Sequence, residues 1–165
     1  MKKFLIIFGL PGAGKSYVGE ILKNHYHLPL YDGDDELPRE MKKALFNKTR
    51  VKEKMRRKFF EALMTKIEEL LSAKKDFVFM QTFLKDHLRR KIYHQYPFLK
   101  FLQIEAEDVL REKRYVSRQD FNLGLSYLRQ TCALFEKPTI PVIKIDNNTE
   151  GPDNLIKQLN TIFGI

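Results

Sequence analysis

A glycine-rich octapeptide, Gly-Leu-Pro-Gly-Ala-Gly-Lys-Ser, occupies residues 9–16 and sets narrow limits on the fold. It follows the apolar residues 4–8 and precedes a stretch with helical spacing, the context in which G-x-x-x-x-G-K-[ST] forms a phosphate-binding loop. The glycines allow successive N–H groups to point inward, and the following helix N-terminus adds partial positive charge. The alternative is a glycine-rich turn without a ligand. The residues predicted to bind a nucleoside triphosphate are Gly9, Leu10, Pro11, Gly12, Ala13, Gly14, Lys15, Ser16 and Tyr17.

Short apolar runs alternate with stretches of helical spacing along the chain. The runs predict strands at residues 3–8, 28–31, 77–80, 99–104 and 140–145, and their continuous apolarity indicates strands covered on both faces. Helices are predicted at 16–26, 59–71, 84–96, 108–116, 123–135 and 154–163. This order predicts an α/β protein with a parallel sheet.

Length and composition limit the domain organisation and the partners. The 165 residues predict one domain, and a net charge of +9 indicates an anionic partner. Cys132 is the only cysteine, which excludes an internal disulfide and a cysteine-based zinc site and favours the cytoplasm. No apolar run approaches the ~20 residues of a membrane span. We therefore expect no membrane partner.

An acidic turn at the end of the second predicted strand is the candidate metal and acceptor site. In a parallel sheet the carboxyl ends of the strands share one edge, so Asp32 and Asp34 are expected near the phosphate-binding loop. Asp32 and the hydroxyl of Ser16 are the predicted Mg²⁺ ligands, and Asp34 is the predicted acceptor of a hydroxyl proton. The alternative is an acidic turn that caps the following helix.

Two further patterns bear on function. The third predicted strand is followed by Gln81 and Thr82 rather than by an aspartate, which counts against motor ATPases and switch GTPases. Residues 39–58 contain ten lysines and arginines but only Glu40 and Glu53 as acids. We expect this basic segment on the acceptor side.

Together these motifs resemble the small P-loop kinases of metabolites, and most closely the gluconate kinase family. The resemblance depends on residues 9–16, on Asp32-Gly33-Asp34 with Pro38 four residues later, on residues 82–85, and on Arg114-x-x-x-Arg118. It implies a P-loop NTPase fold with five strands in the order 2-3-1-4-5. It also implies one kinase domain over residues 1–165, with basic acceptor-side helices at about 36–74 and a mobile lid at about 112–124.

The resemblance also implies roles for individual residues. Lys15 and Asp34 would act on the transferred phosphate and the acceptor hydroxyl, and Arg114 and Arg118 would close over ATP as catalytic residues. The alternative interpretation of Arg114 and Arg118 is that they belong to a solvated basic edge of a helix. The substrate-binding residues that the resemblance implies are Asp34, Arg56 and Lys85.

Three departures from the gluconate kinase pattern lie on the acceptor side. Leu37 replaces a histidine before Pro38, residues 52–55 replace an acidic stretch, and residues 119–121 replace a lid segment with histidine. They put gluconate in doubt as the acceptor.

The leading hypothesis is therefore transfer of the ATP γ-phosphate, with Mg²⁺, to a hydroxyl of a small, anionic acceptor. A nucleotide or polynucleotide kinase is the first alternative. The second is a non-catalytic ATP-binding regulator or RNA-binding module, with the aromatic residues of 91–96 stacking on bases. The oligomeric state is not predicted.

Overall fold

A computed structural model describes residues 3–117 and 123–165. In that part of the chain the strands are β1 (Phe4–Phe8), β2 (Leu30–Asp32), β3 (Phe77–Met80), β4 (Lys100–Glu105) and β5 (Ile143–Asp146). The helices are α1 (Lys15–Tyr26), α2 (Arg39–Phe46), α3 (Glu53–Ser72), α4 (Asp86–Gln95), α5 (Asp108–Val116), α6 (Leu125–Ala133) and α7 (Asp153–Phe163), with a short 3₁₀ helix at Gly33–Glu36.

All the strand pairs are parallel, and the order β2-β3-β1-β4-β5 confirms the expected sheet. The central strand β1 pairs Ile7 with Met80 of β3 and with Leu102 of β4. On the outer pair, Asp32 lies beside Met80. The segments that follow the strands therefore leave the sheet along one edge, where parallel α/β folds bind their ligands.

Both faces of the sheet are covered. One face packs against α1 and α7 through residues such as Leu22 and Leu155, and the other packs against α3 and α4 through residues such as Ile67 and Ile92. Side chains on both faces of each inner strand are therefore buried, which explains the continuous apolarity of the predicted strands.

Several element bounds differ from the sequence predictions. Helix α3 begins at Glu53, six residues before the predicted start, because its first turns are polar and exposed and lack the apolar stripe used for the prediction. Strand β5 begins at Ile143, after Pro141, whose ring nitrogen cannot donate to a neighbouring strand. Asp146 is the last residue of β5.

Among the described residues, no helix combines the length and the apolarity that crossing a bilayer would require.

Candidate active site

The phosphate-binding loop between β1 and α1 depends on its glycines. Gly9, Gly12 and Gly14 have φ angles of +150°, +79° and +94°. A Cβ on Gly9 would lie 2.5 Å from the carbonyl oxygen of Ile104, and one on Gly12 would lie 2.3 Å from that of Arg111. Only glycine tolerates both these positive φ angles and the close approach of the neighbouring main chain.

Lys15 begins α1 and folds back over the loop. Its Nζ donates to the carbonyl oxygens of Gly9, at 3.0 Å, and of Leu10, at 3.1 Å. The first intrahelical bond runs from the amide of Val18 to the carbonyl of Gly14, at 3.0 Å. A helix N-terminus offers the N–H groups of its first turn to an anion, so the loop and helix together form a site for phosphate groups.

Asn147, directly after β5, braces the loop from the other side. It is 1% exposed, and its Nδ2 donates to the carbonyl oxygen of Ala13, at 2.8 Å. The carbonyl of Asn147 in turn accepts a hydrogen bond from Nη1 of Arg114, at 2.9 Å. The predicted catalytic residue Arg114 is therefore half-buried beside the phosphate-binding loop, on helix α5.

The acidic turn after β2 is linked to the end of β3. Oδ1 of Asp34 accepts a hydrogen bond from Nε2 of Gln81, at 2.9 Å. The other end of that amide, Oε1, accepts from the backbone amide of Thr82, at 2.6 Å, which only an oxygen atom can do. Gln81 is 8% exposed, and its two hydrogen bonds fix the orientation of the amide, which holds one carboxylate oxygen of Asp34 in place.

Asp32 caps the 3₁₀ helix by accepting from the amide of Asp34, at 3.0 Å. Burial raises the pKa of Asp32, and the charges of Asp34 and Asp35 raise it further, while the Asp34 amide and the ammonium group of Lys15 lower it. The residue is exposed, so the carboxylate lies at the surface of this sheet edge rather than in the core. The influence of the Lys15 charge on its pKa agrees with a strand end that lies near the phosphate-binding loop.

The segment between β3 and α4 is held by a buried ion pair. Arg89 is fully buried, and its guanidinium donates to Asp86 and to the carbonyl oxygens of Phe83 and Glu136. Burial would raise the pKa of Asp86, but hydrogen bonds from Thr139 and Arg89 outweigh it and lower that pKa. This network joins the loop that carries Gln81 to the segment before β5.

The remaining predicted residues that the structure describes lie on α1, on α3 and directly before α4. Ser16 and Tyr17 are exposed on the first turn of α1. Arg56 is exposed on the first turns of α3, and Lys85 forms an ion pair with Glu136, at 3.0 Å. Arg118 and the centre of the expected lid lie outside the described residues.

Within residues 3–117 and 123–165, no group of three or more His, Cys, Asp or Glu side chains could hold a metal ion. The hydroxyl of Ser16 and the carboxylate of Asp32 are oxygen donors at the same sheet edge. Such a pair fits Mg²⁺, which usually takes one or two protein ligands together with water and phosphate oxygens.

A cavity of about 350 Å³ lies next to the loop, on the β4 and β5 side. Its lining includes Leu10, Gln103, Glu105, Asp108 and Arg111. Apart from Leu10, it contains none of the predicted site residues. We therefore assign the candidate chemistry to the sheet edge that the phosphate-binding loop shares with Asp34.

Sequence reasoning missed the positions of Gln81, Asn147 and the Arg89 pair. The signal for the first two was present, because each directly follows a strand at the edge where Asp32 was sought. Arg89 gave no such signal, since an arginine inside a cationic stretch is normally solvated.

No protein-family model and no curated protein matches the chain at a significant level. Solved structures do. A sugar kinase from a Janibacter species has 17% identity and a TM-score of 0.82, over 100% of this chain and 96% of that one. A gluconokinase from Sinorhizobium meliloti has 20% identity and a TM-score of 0.74, over 98% and 96%. Kti12 from Chaetomium thermophilum, in complex with ADP-AlF3, has 14% identity and a TM-score of 0.68, over 98% and 97%.

These likenesses extend over nearly the whole of both chains, but all are at 20% identity or below. At that level they show the fold: the chain has the fold of the ATP-dependent P-loop kinases. The predicted resemblance is therefore confirmed as a structural one.

Proposed function

We propose that this chain is an ATP-dependent phosphotransferase that moves the γ-phosphate of ATP to a hydroxyl group of an anionic acceptor. Residues 1–165 would work as one kinase domain, with the acceptor bound beside the segment 36–74 and a lid at about 112–124. The observation that carries the proposal is the placement of the phosphate-binding loop and the Asp34–Gln81 pair at the same sheet edge.

The loop supplies the nucleotide site in this proposal. Lys15 would exchange its bonds to the loop carbonyls for bonds to the β- and γ-phosphates, and Ser16 and Asp32 would be the protein ligands of Mg²⁺. When bound, Mg²⁺ neutralises charge on the phosphate oxygens. Arg114 would contact the phosphates from the Asn147 side, and Arg118 would join it from the lid.

Asp34 would be the group that receives the acceptor proton. The acceptor oxygen forms a bond to the γ-phosphorus, the bond from that phosphorus to the β–γ bridging oxygen breaks, and the hydroxyl proton passes to the carboxylate. Because Gln81 holds Oδ1, the free oxygen Oδ2 is the one available to the hydroxyl. Gln81 would thereby be a positioning residue for Asp34.

Gluconate is not proposed as the acceptor. The segment 39–58, which we expect on the acceptor side, is cationic, and together with Arg56 and Lys85 it would favour a substrate with more negative charge than one carboxylate provides. The Sinorhizobium meliloti gluconokinase has the same fold, but an identity of 20% is too low to infer that the two chains use the same acceptor.

The proposal is tested with Asp34→Asn, and with Asp35→Asn as a control that removes the same charge one residue away. ADP release is measured with panels of sugars, sugar acids, sugar phosphates, nucleosides and oligonucleotides, and binding of a fluorescent ATP analogue is measured separately. We expect Asp34→Asn to lower turnover by about 10²- to 10⁴-fold while the analogue binds as before. Asp35→Asn should retain most of the turnover.

Absence of turnover with every acceptor in the wild-type chain would contradict the proposal and leave a nucleotide-binding regulator. Full turnover in Asp34→Asn would contradict the role given to that carboxylate.

A further inference from the structure

Helix α2, the first turns of α3 and the segment between them carry most of the chain's net positive charge, and their exposed side chains are here called the basic surface. Residues 39–58 carry ten cations and two acids, which accounts for eight of the chain's nine net positive charges. All ten cations are exposed: Arg39, Lys42, Lys43, Lys48, Arg50, Lys52, Lys54, Arg56, Arg57 and Lys58. The charge of the protein is therefore local.

Little of this charge is neutralised within the fold. Across residues 3–117 and 123–165, the one ion pair on the basic surface joins Lys58 to Glu40, at 3.7 Å, with both side chains largely exposed. Exposed pairs of this kind contribute little to stability because solvent screens them. A surface with repulsion among its own charges and few internal partners is suited to a polyanion.

An exposed aromatic residue stands within the basic surface. Phe46 is 79% exposed at the end of α2, between Lys43 and Lys48, whereas the other apolar side chains of that helix are buried. Stacking of bases on an aromatic ring beside lysines and arginines is how proteins hold single-stranded nucleic acid. Phe46 therefore adds a preference for bases to the attraction for phosphate.

The aromatic residues at 91–96, which the sequence suggested for base stacking, are engaged elsewhere. Tyr93 is half-buried against the ring of Phe101, with centroids 6.5 Å apart. The hydroxyl of Tyr96 donates to Glu68, at 2.9 Å. Both tyrosines are half-buried, whereas Phe46 is the aromatic side chain that the fold leaves exposed among the cations.

The basic surface lies next to the candidate active site. Leu63 of α3 packs near Gly33, beside the acidic turn, and a Cβ on that glycine would lie 3.0 Å from Leu63 Cδ2. Arg56 precedes Leu63 by seven residues, which is about 10 Å along a helix. A strand bound to the surface would pass close to Asp34.

We infer that the basic surface binds a single-stranded polynucleotide, with its phosphates on the cations and one base stacked on Phe46. A membrane is a poorer partner for this surface, because the apolar face of α2 is buried in the fold and Phe46 is the lone exposed apolar side chain of that helix. The inference concerns binding and holds whether or not the strand is also the phosphate acceptor.

The test measures the fluorescence anisotropy of a labelled 20-nucleotide poly(U) RNA between 50 and 500 mM salt. The variant Lys42→Gln/Lys43→Gln/Lys54→Gln removes three phosphate contacts, and Lys23→Gln/Lys75→Gln/Lys157→Gln, on exposed positions elsewhere, removes the same charge. For single strands the logarithmic salt slope changes by about 0.7 per contact, so we expect a slope smaller by about 2 and roughly 100-fold weaker binding near 0.1 M salt. The control should retain the wild-type slope.

Phe46→Ala separates stacking from charge. We expect about 5- to 100-fold weaker binding at every salt concentration with an unchanged slope, whereas Phe98→Ala, at another exposed phenylalanine, should bind as the wild type does. Each variant is first shown to bind the fluorescent ATP analogue, which confirms its fold.

Three results would overturn the inference: no RNA binding, equal losses in both lysine variants, or preferential binding to phosphatidylserine vesicles. Binding is also measured with Asp34→Asn. RNA binding without phosphate transfer would contradict only the proposed function, and phosphate transfer without RNA binding would contradict only this inference.

Discussion

Replacement of Arg89 by methionine is the sharpest stability test of the site's architecture. The guanidinium lies beneath the loop between β3 and α4, fully buried, with the rings of Phe8 and Phe135 each 5.2 Å from its central carbon. Methionine fills a similar volume but removes the charge and every donor. The perturbation therefore isolates the polar network from the packing around it.

The loss can be estimated from the contacts. The carbonyl oxygen of Phe83 loses a donor at 2.6 Å, and Asp86 loses its buried cation but keeps two hydrogen bonds from Thr139. Breaking a buried ion pair costs about 3–5 kcal/mol, and the bonds from Thr139 place Arg89→Met near the lower end. For a chain of this size each kcal/mol lowers Tm by about 2–4 °C, so we expect a decrease of roughly 10 °C.

The assay is thermal and urea unfolding of Arg89→Met, Asp86→Asn and the double variant. The double variant removes both partners and leaves no unpaired charge. Its free energy of unfolding should therefore be about 1–3 kcal/mol higher than the sum of the two single losses predicts. Arg90→Met is the matched control, since Arg90 is exposed and lies 3.8 Å from the same aspartate. A Tm within 3 °C of the wild type for Arg89→Met, or simple additivity in the double variant, would refute the reasoning.

Three other expectations follow from the same contacts. Gly12→Ala would place a Cβ 2.3 Å from the Arg111 carbonyl oxygen, so it should abolish binding of the ATP analogue in a chain that still unfolds cooperatively; normal binding would show that the loop can move aside. Gln81→Met removes the hydrogen bond that positions Asp34, so its kcat should fall about 10- to 100-fold while the KM for ATP is unchanged. A change of equal size in kcat and in the KM for ATP would indicate a general structural role. The lowered pKa of Asp86 contributes stability that is present above the ordinary aspartate pKa, near 4, and is lost as the pH falls through the lowered value. Urea unfolding between pH 3 and 7 should therefore show a decline in the wild type that is smaller in Asp86→Asn, and identical profiles would contradict this.

The local features of the fold and site could be predicted from the sequence. The glycine-rich loop, the apolar strands and the acidic turn each depend on neighbouring residues, and the order of the sheet followed from the resemblance those motifs carry. Asp32 was placed at a strand end by the same local argument, and it is the last residue of β2.

The contacts that complete the site join residues far apart in the chain. Gln81 reaches Asp34 across 47 positions, and Asn147 reaches Ala13 across 134. Local periodicity contains no information about which side chains meet at that range. Arg89 shows the limit most clearly, because its guanidinium donates to the carbonyls of Phe83 and Glu136, on two separate loops, as well as to Asp86 on its own helix. Only the folded chain brings those two loops together.

Under the proposed function, the different positions of the strand-end residues and of the cations on the helices also indicate where an acceptor would be recognised. The phosphate-binding loop, Asp34, Gln81 and Asn147 all follow strands, so the register of the sheet holds them in fixed relative positions. The cations of residues 39–58 instead lie on α2 and on the exposed first turns of α3, beyond the buried part of that helix. Side chains at exposed helix positions can change at little cost in stability, whereas those at the strand ends cannot. Acceptor preference is therefore expected to respond to substitutions in residues 39–58, while substitutions at the strand ends should lower turnover with every acceptor alike.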